Sequence, residues 1–177
     1  MWQLFDRTRF IGEVGLDYTD SRQDIRRHQR KVFSSILERC QASGDKILIV
    51  HSRRAAVDVV SAIGDKFRGI VILHWYSGPS NILERAIEND LYFSVNPAMI
   101  QSKRGNEIIR MLPRTRVLTE TDAPLVSVGG NPAKPLDVTG VVARLAVMWG
   151  ESEEKTRSLV INTYLRCFNA IEHMHTS

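Results

Sequence analysis

Four side chains of the kind that bind metal ions each stand at or just after the end of a short apolar run. They are Glu13, His51, His74 and Asp122. A set of carboxylates and imidazoles without a thiolate suits Zn²⁺, Mn²⁺ or Mg²⁺, and it is common in metal-assisted hydrolysis of phosphate esters. A glutamate can bridge two ions about 4 Å apart, which would activate a water and neutralise charge on the leaving oxygen. The residue types therefore indicate a metal-dependent phosphoesterase.

Each of these residues also has an ordinary structural explanation when it is considered alone. A single histidine after a buried strand, such as His51 or His74, is more often hydrogen-bonded in the core than bound to a metal. Asp122 precedes Ala-Pro and can shape a turn, and Glu13 lies between glycines and can be an ion-pair partner. The joint placement of all four at strand ends is what favours metal binding.

The apolar runs before these residues predict strands, and the segments between them show helical spacing. In a parallel α/β barrel the carboxyl ends of successive strands converge on one face, so ligands that are distant in sequence would meet there. Residues 101–103 and 127–135 are expected to be loops. The predicted strands are 10–16, which is expected to be buried, 46–50, 70–73, 91–95 and 116–119. The predicted helices are 23–42, 54–63, 79–89, a short helix that ends near residue 112, 137–149, and 152–171 with a break near residue 162.

A chain of 177 residues is expected to form a single domain, residues 1–177. A complete eight-stranded α/β barrel takes about 250 residues, and this sequence shows five convincing strand-helix units. The expected fold is an α/β, TIM-type (β/α) barrel that is incomplete and lacks its first two βα units. Such a barrel would expose a strand edge, which we expect a protein partner or a second copy of the chain to cover.

The charge balance gives little information about partners. The chain has 24 basic and 20 acidic residues, a formal +4, which suits a polyanion but is equally ordinary for a protein surface. The same two alternatives apply to a basic rim that would hold backbone phosphates. Trp75 and Tyr76 can stack on bases or simply close the mouth of the barrel. The basic rim consists of Arg53, Arg54, Lys103 and Arg104.

Two cysteines and the apolar runs bear on the cellular compartment. Cys40 and Cys167 have neither metal-binding nor redox-motif spacing, and both fall in helical patterns, so they are interpreted as reduced core thiols. No run approaches the roughly 18 apolar residues of a membrane helix. A cytoplasmic protein without a membrane partner is expected.

Four segments in order resemble the TatD family of metal-dependent deoxyribonucleases. The similarity extends from about residue 10 to residue 168 and includes residues 162–168. The sequences of residues 74–76 (HWY) and 92–97 (YFSVNP) are similar to those of the QatD-like branch, whose members occur in anti-phage defence operons. The four segments are 12–17 (GEVGLD), 50–53 (VHSR), 74–78 (HWYSG) and 120–124 (ETDAP).

The resemblance implies a TIM-type barrel with a two-metal centre that hydrolyses DNA phosphodiesters, often as a 3′ to 5′ exonuclease on single strands. It makes Glu13 the bridging carboxylate, His51 and His74 ligands of one ion, and Asp122 a ligand of the other. Glu13 and Asp122 are accordingly the expected catalytic residues. Glu120 is left with two roles, orienting a ligand or pairing with an arginine. The expected substrate-binding residues are Arg53, Trp75, Tyr76 and Ser77.

One departure from the family pattern changes the expected chemistry. The family opens with a His-x-His pair, and no histidine precedes Glu13 here. The pair at residues 173–175 follows a helix rather than a strand and is expected to have a tail or surface role. One metal position is therefore expected to be better preserved, with at most one tightly bound ion and weak cleavage. The alternative is a catalytically weak or inactive subunit that binds a protein or nucleic acid within a defence complex.

Overall fold

The computed structural model describes the backbone of residues 2–174 and the side chains of residues 4–170. The predicted α/β fold with a parallel sheet is confirmed. Five strands form a sheet in the order β1-β2-β3-β4-β5, compared with the eight strands of a complete barrel. They are β1 (Phe10–Gly15), β2 (Ile47–His51), β3 (Ile70–Leu73), β4 (Tyr92–Val95) and β5 (Val117–Thr119).

Helices alternate with these strands, and a short hairpin precedes the last two helices. Within residues 2–174, three short 3-10 helices also occur, at Trp2–Arg7, Arg114–Arg116 and Pro135–Asp137. None of the described helices combines the length and apolar character that crossing a bilayer requires. The helices are α1 (Gln23–Ser43), α2 (Ala56–Ile63), α3 (Ser80–Glu88), α4 (Pro97–Gln101), α5 (Lys103–Met111), α6 (Val138–Trp149) and α7 (Glu153–Met174), and the hairpin strands are β6 (Ser127–Val128) and β7 (Asn131–Pro132).

The chain divides into two compact units. The first contains residues 1–92 and 166–177, and the second contains residues 93–165. In the first unit β2 pairs in parallel with both β1 and β3. Both β2 and β3 are buried, as their continuous aliphatic runs predict. The His-x-His sequence at residues 173–175 lies outside the residues whose side chains are described.

The prediction of a buried strand at residues 10–16 is correct for the strand and wrong for its burial. Phe10 is 40% exposed, and the other β1 residues are exposed or half-buried. The physical reason is that β1 stands at one end of the strand order, so the described residues pair it with β2 alone. The adjoining Leu16, in contrast, is buried.

An ion pair at the amino-terminal end of β2 holds the first 3-10 helix in place. Lys46 is 2% exposed, and its Nζ lies 3.1 Å from Asp45 Oδ2. The same ammonium donates to the carbonyl of Thr8 at 3.0 Å and lies 4.7 Å from the centre of the Phe5 ring. A buried ammonium with these partners fixes this end of the unit, away from the carboxyl ends of the strands.

The second unit is built around the parallel pair β4 and β5, with Phe93 opposite Val117. Its helices differ from the prediction in two places. Residues 97–101 form α4 because Asn96 caps it, accepting from the Met99 amide at 3.0 Å. The expected break near residue 162 is absent from α7, which runs unbroken from Glu153 to Met174. The expected loop at 127–135 contains the β6-β7 hairpin.

Candidate metal centre

Three of the four predicted ligands lie at the carboxyl ends of neighbouring parallel strands in the first unit. Gly15 of β1 is opposite His51 of β2. Val50 is opposite Leu73 of β3, and the amide of His74 donates to the Val50 carbonyl at 2.9 Å. Parallel pairing therefore brings two histidines that are 23 positions apart in sequence onto adjacent strand ends.

An irregularity in β1 determines where Glu13 projects. The pairing register of β1 shifts between Ile11 and Val14, whose partners on β2 are Leu48 and Val50. Three steps along β1 thus match two steps along β2, which is the pattern of a β-bulge and re-aims a side chain. Glu13 lies in this bulge.

The Glu13 carboxylate lies between the two histidine rings. Its Oε1 is 2.8 Å from Nδ1 of His51 and 3.8 Å from Nε2 of His74. The ring centroids of the two histidines are 6.4 Å apart, with 25° between the ring planes. One carboxylate oxygen and two imidazole nitrogens therefore face a common space.

Asp17 is a fourth member of this cluster that the sequence did not single out. Its Oδ2 lies 3.0 Å from Nε2 of His51, so both ring nitrogens of this histidine face carboxylates. Partial burial acts to raise the pKa of Asp17, but hydrogen bonds from Thr19 and the contact with His51 outweigh it and hold that pKa below its usual value. Asp17 ends the GEVGLD segment, which was the only signal that could have identified it.

The donor atoms around Glu13 have the chemistry of a divalent-cation site but not its geometry. Among residues with described side chains, no three His, Cys, Asp and Glu groups are arranged as a formed cation site. Ligand atoms on one tetrahedral ion at about 2.1 Å would lie about 3.4 Å from each other. The separation of 3.8 Å between Glu13 and His74 is close to this, whereas 2.8 Å between Glu13 and His51 is a direct hydrogen bond. Carboxylate and imidazole donors suit the ion chemically. The described side chains would have to rearrange to bind it, and Glu13 and His51 would have to move apart from their direct hydrogen bond.

Glu120 and Asp122 follow β5 in the second unit. Glu120 accepts hydrogen bonds from Ser94 Oγ and from Nδ2 of Asn96, the latter at 3.2 Å. Asn96 is fully buried. The Glu120 carboxylate is therefore held by two uncharged donors, one on β4 and one just after it.

Asp122 adopts the left-handed backbone conformation, with φ 52°. Its carbonyl accepts from the amides of Leu125 and Val126 at 2.8 and 3.2 Å. A left-handed aspartate at a strand exit is a conformation that is retained mainly where surrounding structure enforces it, often at functional sites. The membership of Asp122 in one site with Glu13 and the histidines stays a prediction.

The predicted substrate-binding residues follow the two histidines closely in sequence and are mostly exposed. Arg53 and Ser77 are exposed, and Trp75 is 36% exposed with φ 39°. Tyr76 differs, since it is 1% exposed and its hydroxyl donates to the Pro79 carbonyl at 2.8 Å. A buried ring has no face to stack on a base, so Tyr76 acts here as a packing residue rather than as a substrate contact.

The basic rim is spread over both units. Arg54 is exposed beside Arg53 and has φ 55°. Lys103 and Arg104 are the first residues of α5 in the second unit. There Nη1 of Arg104 lies 3.5 Å from Oε2 of Glu107. Only Arg53 and Arg54 therefore belong to the same unit as the Glu13 cluster.

Carboxylates and imidazoles at the carboxyl ends of parallel strands, as in the Glu13 cluster, are the arrangement typical of the class of α/β barrels. Comparison with known proteins makes the assignment specific. Residues 3–169 match the sequence profile described as TatD related DNase, and the chain belongs to this family.

Individual relatives agree with this assignment. Human deoxyribonuclease TATDN3 is 24% identical over 177 residues, which cover 96% of this chain and 63% of the human protein. The Bacillus subtilis protein named uncharacterized metal-dependent hydrolase YabD is 27% identical over 167 residues, covering 89% of this chain and 64% of YabD. The chain thus spans less than two thirds of the length of either relative.

Solved structures support the fold. YJJV, a TatD homologue from Escherichia coli, superposes with a TM-score of 0.83 at 24% identity, covering 94% of this chain and 68% of YJJV. An uncharacterized amidohydrolase from Saccharomyces cerevisiae superposes with a TM-score of 0.79 at 16% identity, covering 90% of this chain and 65% of the yeast protein. At these identities the likeness establishes the architecture alone.

Proposed function

We propose that this chain is a divalent-metal-dependent phosphodiesterase that removes nucleotides from single-stranded DNA in the 3′ to 5′ direction. The proposal is supported by membership of a family described as TatD related DNase and by relatives named deoxyribonuclease and metal-dependent hydrolase. The observation that carries it is the position of Glu13 Oε1, at 2.8 Å from His51 and 3.8 Å from His74. We assign Glu13, His51 and His74 to one ion.

A bound divalent ion would supply a Lewis acid for the phosphoryl oxygen and lower the pKa of its water ligand. The chain's own residues would hold and orient the substrate around that position. Glu13 and the two histidines would supply the metal-binding atoms. Arg53, which is exposed and lies two residues after His51, can neutralise a backbone phosphate. Trp75 follows His74 directly and offers an exposed ring on which a base can stack. Asp122 is the proposed acidic partner of Glu13 in catalysis.

The experiment compares nucleotide release by the native chain with release by two histidine variants. Single-stranded DNA labelled at its 5′ end is incubated with Mn²⁺ or Mg²⁺, and a ladder of shortened products is expected. His74→Ala should lower the rate at least tenfold, because it removes one of three donors. His28→Ala is the matched control, since His28 is an exposed residue of α1. Equal rates for native protein and His74→Ala would refute the site assignment.

The direction of digestion is read from the label position in the same reaction. With the label at the 3′ end, 3′ to 5′ digestion releases labelled mononucleotide from the start. With the label at the 5′ end, the labelled strand shortens gradually. Immediate release of mononucleotide from the 5′ end instead would overturn the proposed polarity.

We further propose that the site binds one ion tightly. The first unit offers Glu13, His51 and His74 as donors, whereas Glu13 and Asp122 alone are too few protein ligands to hold a second ion firmly. Titration calorimetry on metal-stripped protein should find one tight equivalent of Zn²⁺ or Mn²⁺. Two tight equivalents per chain would contradict this stoichiometry.

The second candidate is a binding subunit with weak or no catalysis in a cytoplasmic anti-phage defence complex of the QatD-like kind. The observation that favours it is that the described His, Cys, Asp and Glu side chains include no group of three placed so that it could hold a metal ion. The exposed Phe10 on β1 marks the strand edge that a protein partner or second copy would cover. Light scattering after size exclusion, with and without single-stranded DNA, separates the candidates. A monomer in light scattering whose nucleotide release falls at least tenfold in His74→Ala excludes this second candidate.

A further inference from the structure

We propose that Asp17 is a positioning residue that selects which nitrogen of His51 binds the metal. This inference rests on the proposed function, since it assumes that His51 is a ligand. Asp17 Oδ2 faces Nε2 of His51 at 3.0 Å, and Glu13 Oε1 faces Nδ1 at 2.8 Å. The two carboxylates thus divide the two nitrogens of one ring between them.

Asp17 is itself held so that only one of its oxygens faces the histidine. Its Oδ1 accepts a hydrogen bond from the amide of Thr19 at 2.8 Å. Its own amide donates to Oε1 of Gln29 on α1 at 2.9 Å. A carboxylate fixed at one oxygen and at its backbone presents its second oxygen to His51 in a defined direction.

The neighbouring Tyr18 fixes the same loop to two other elements. Its amide donates to the carbonyl of Arg53 at 3.0 Å, which continues the β1-β2 pairing beyond His51. Its hydroxyl donates to Asp58 of α2 at 2.5 Å and accepts from Arg30 of α1 at 3.0 Å. The position of Asp17 therefore follows from contacts with α1, with α2 and with Arg53 just after β2, which leaves it little freedom to move away from the ring.

The choice of nitrogen follows from hydrogen-bonding chemistry. A neutral imidazole carries one proton, and an ionised carboxylate can only accept. When Asp17 accepts from Nε2–H, the lone pair of Nδ1 is left directed at Glu13, where two acceptors can share a cation between them. Carboxylates that bind the second nitrogen of a metal-binding histidine fix its tautomer in this way, and their loss commonly reduces metal affinity about 10- to 100-fold.

The test uses zinc alone and two isosteric variants of the same loop. In Asp17→Asn the Thr19 amide requires the side-chain oxygen, so the NH2 group faces His51 and opposes protonation of Nε2. We expect zinc affinity, measured by calorimetry against a competing chelator, to fall about 10- to 100-fold. Asp20→Asn is the control, because the Asp20 side chain contacts Arg22 rather than the histidine, and it should bind zinc as the native chain does. Asp17→Ala, with its thermal midpoint recorded, serves as the second variant.

A spectroscopic measurement separates positioning from a general loss of structure. Long-range ¹H–¹⁵N correlation spectra of the zinc-loaded native protein should show His51 protonated at Nε2, with Nδ1 as the zinc-bound nitrogen. Zinc on Nε2, or unchanged zinc affinity in both Asp17 variants, overturns the inference while leaving the proposed function intact. Absence of zinc binding by the native chain, with Mn²⁺-dependent cleavage retained, overturns the inference alone. Absence of both zinc binding and Mn²⁺- or Mg²⁺-dependent cleavage overturns the proposed function as well, and that outcome is seen before any variant is made.

Discussion

The substitution Gly15→Ala should separate β1 from β2 at the candidate site. Gly15 has φ +140°, and a Cβ added there would lie 2.1 Å from the carbonyl oxygen of His51. Real Cβ contacts are essentially never shorter than 3.0 Å, so the strands would have to move apart by about 1 Å. The contacting atom is backbone, which cannot rotate away as the end of a side chain can.

Two physical effects set the size of the destabilisation. Forcing a non-glycine residue into this backbone region costs about 1–3 kcal/mol. Crowding an extra carbon into closely packed structure costs about another 1–3 kcal/mol. The sum, about 2–6 kcal/mol, corresponds to roughly 4–24 °C in the thermal midpoint of a domain of this size, at about 2–4 °C per kcal/mol. The amide of Leu16, which donates to the His51 carbonyl at 3.1 Å, would also lose its hydrogen-bond geometry.

The assay is thermal unfolding followed by circular dichroism, with Gly140→Ala as the matched control. Gly140 lies within α6, and no heavy atom is near enough to contact an added Cβ there. Alanine at an open helical position should raise stability by about 0.5–1 kcal/mol. Opposite signs for the two variants are expected. If Gly15→Ala unfolds at the native temperature or above it, the close approach of β1 to His51 is wrong.

Three further predictions concern side chains that are not themselves proposed metal ligands. Lys46→Met should cost about 3–5 kcal/mol in urea unfolding, because Asp45 is then buried without its cation; a loss below 1 kcal/mol would show that the pair is not buried as described. Cys40 and Cys167 should react with a thiol reagent at pH 8 only after unfolding, because burial raises the pKa of each thiol from 9.0 to about 11. Because the pKa of each thiol is higher in the folded than in the unfolded chain, the neutral thiols contribute to the free energy of unfolding in full below pH 9, and this contribution is lost as the pH rises towards 11. A urea midpoint that does not change between pH 9 and pH 11 would contradict the burial of the two thiols. Tyr18→Phe should cost about 1–2 kcal/mol through the lost hydrogen bond to Asp58, measured in the same way, and native stability in this variant would argue against that contact.

Much of the fold was predictable because burial leaves a periodic record in the sequence. Aliphatic runs at residues 47–50 and 70–73 identify strands that are buried on both faces. Helix α1 follows the helical spacing of apolar residues and is capped by Gly44, which adopts the left-handed conformation with φ 73°. The same reasoning failed for the burial of β1, since an apolar run does not record whether a strand has one neighbour or two.

The sequence by itself determined which residue types stand at the strand ends, and hence the chemistry of the candidate site. Only the tertiary structure showed that Asp17 reaches His51, that Glu120 is held by Ser94 and Asn96, and that Tyr76 is buried. The physical reason is that these contacts depend on strand register and on a bulge in β1. Both arise from pairing between segments that are far apart in the chain, and local patterns carry no record of that pairing.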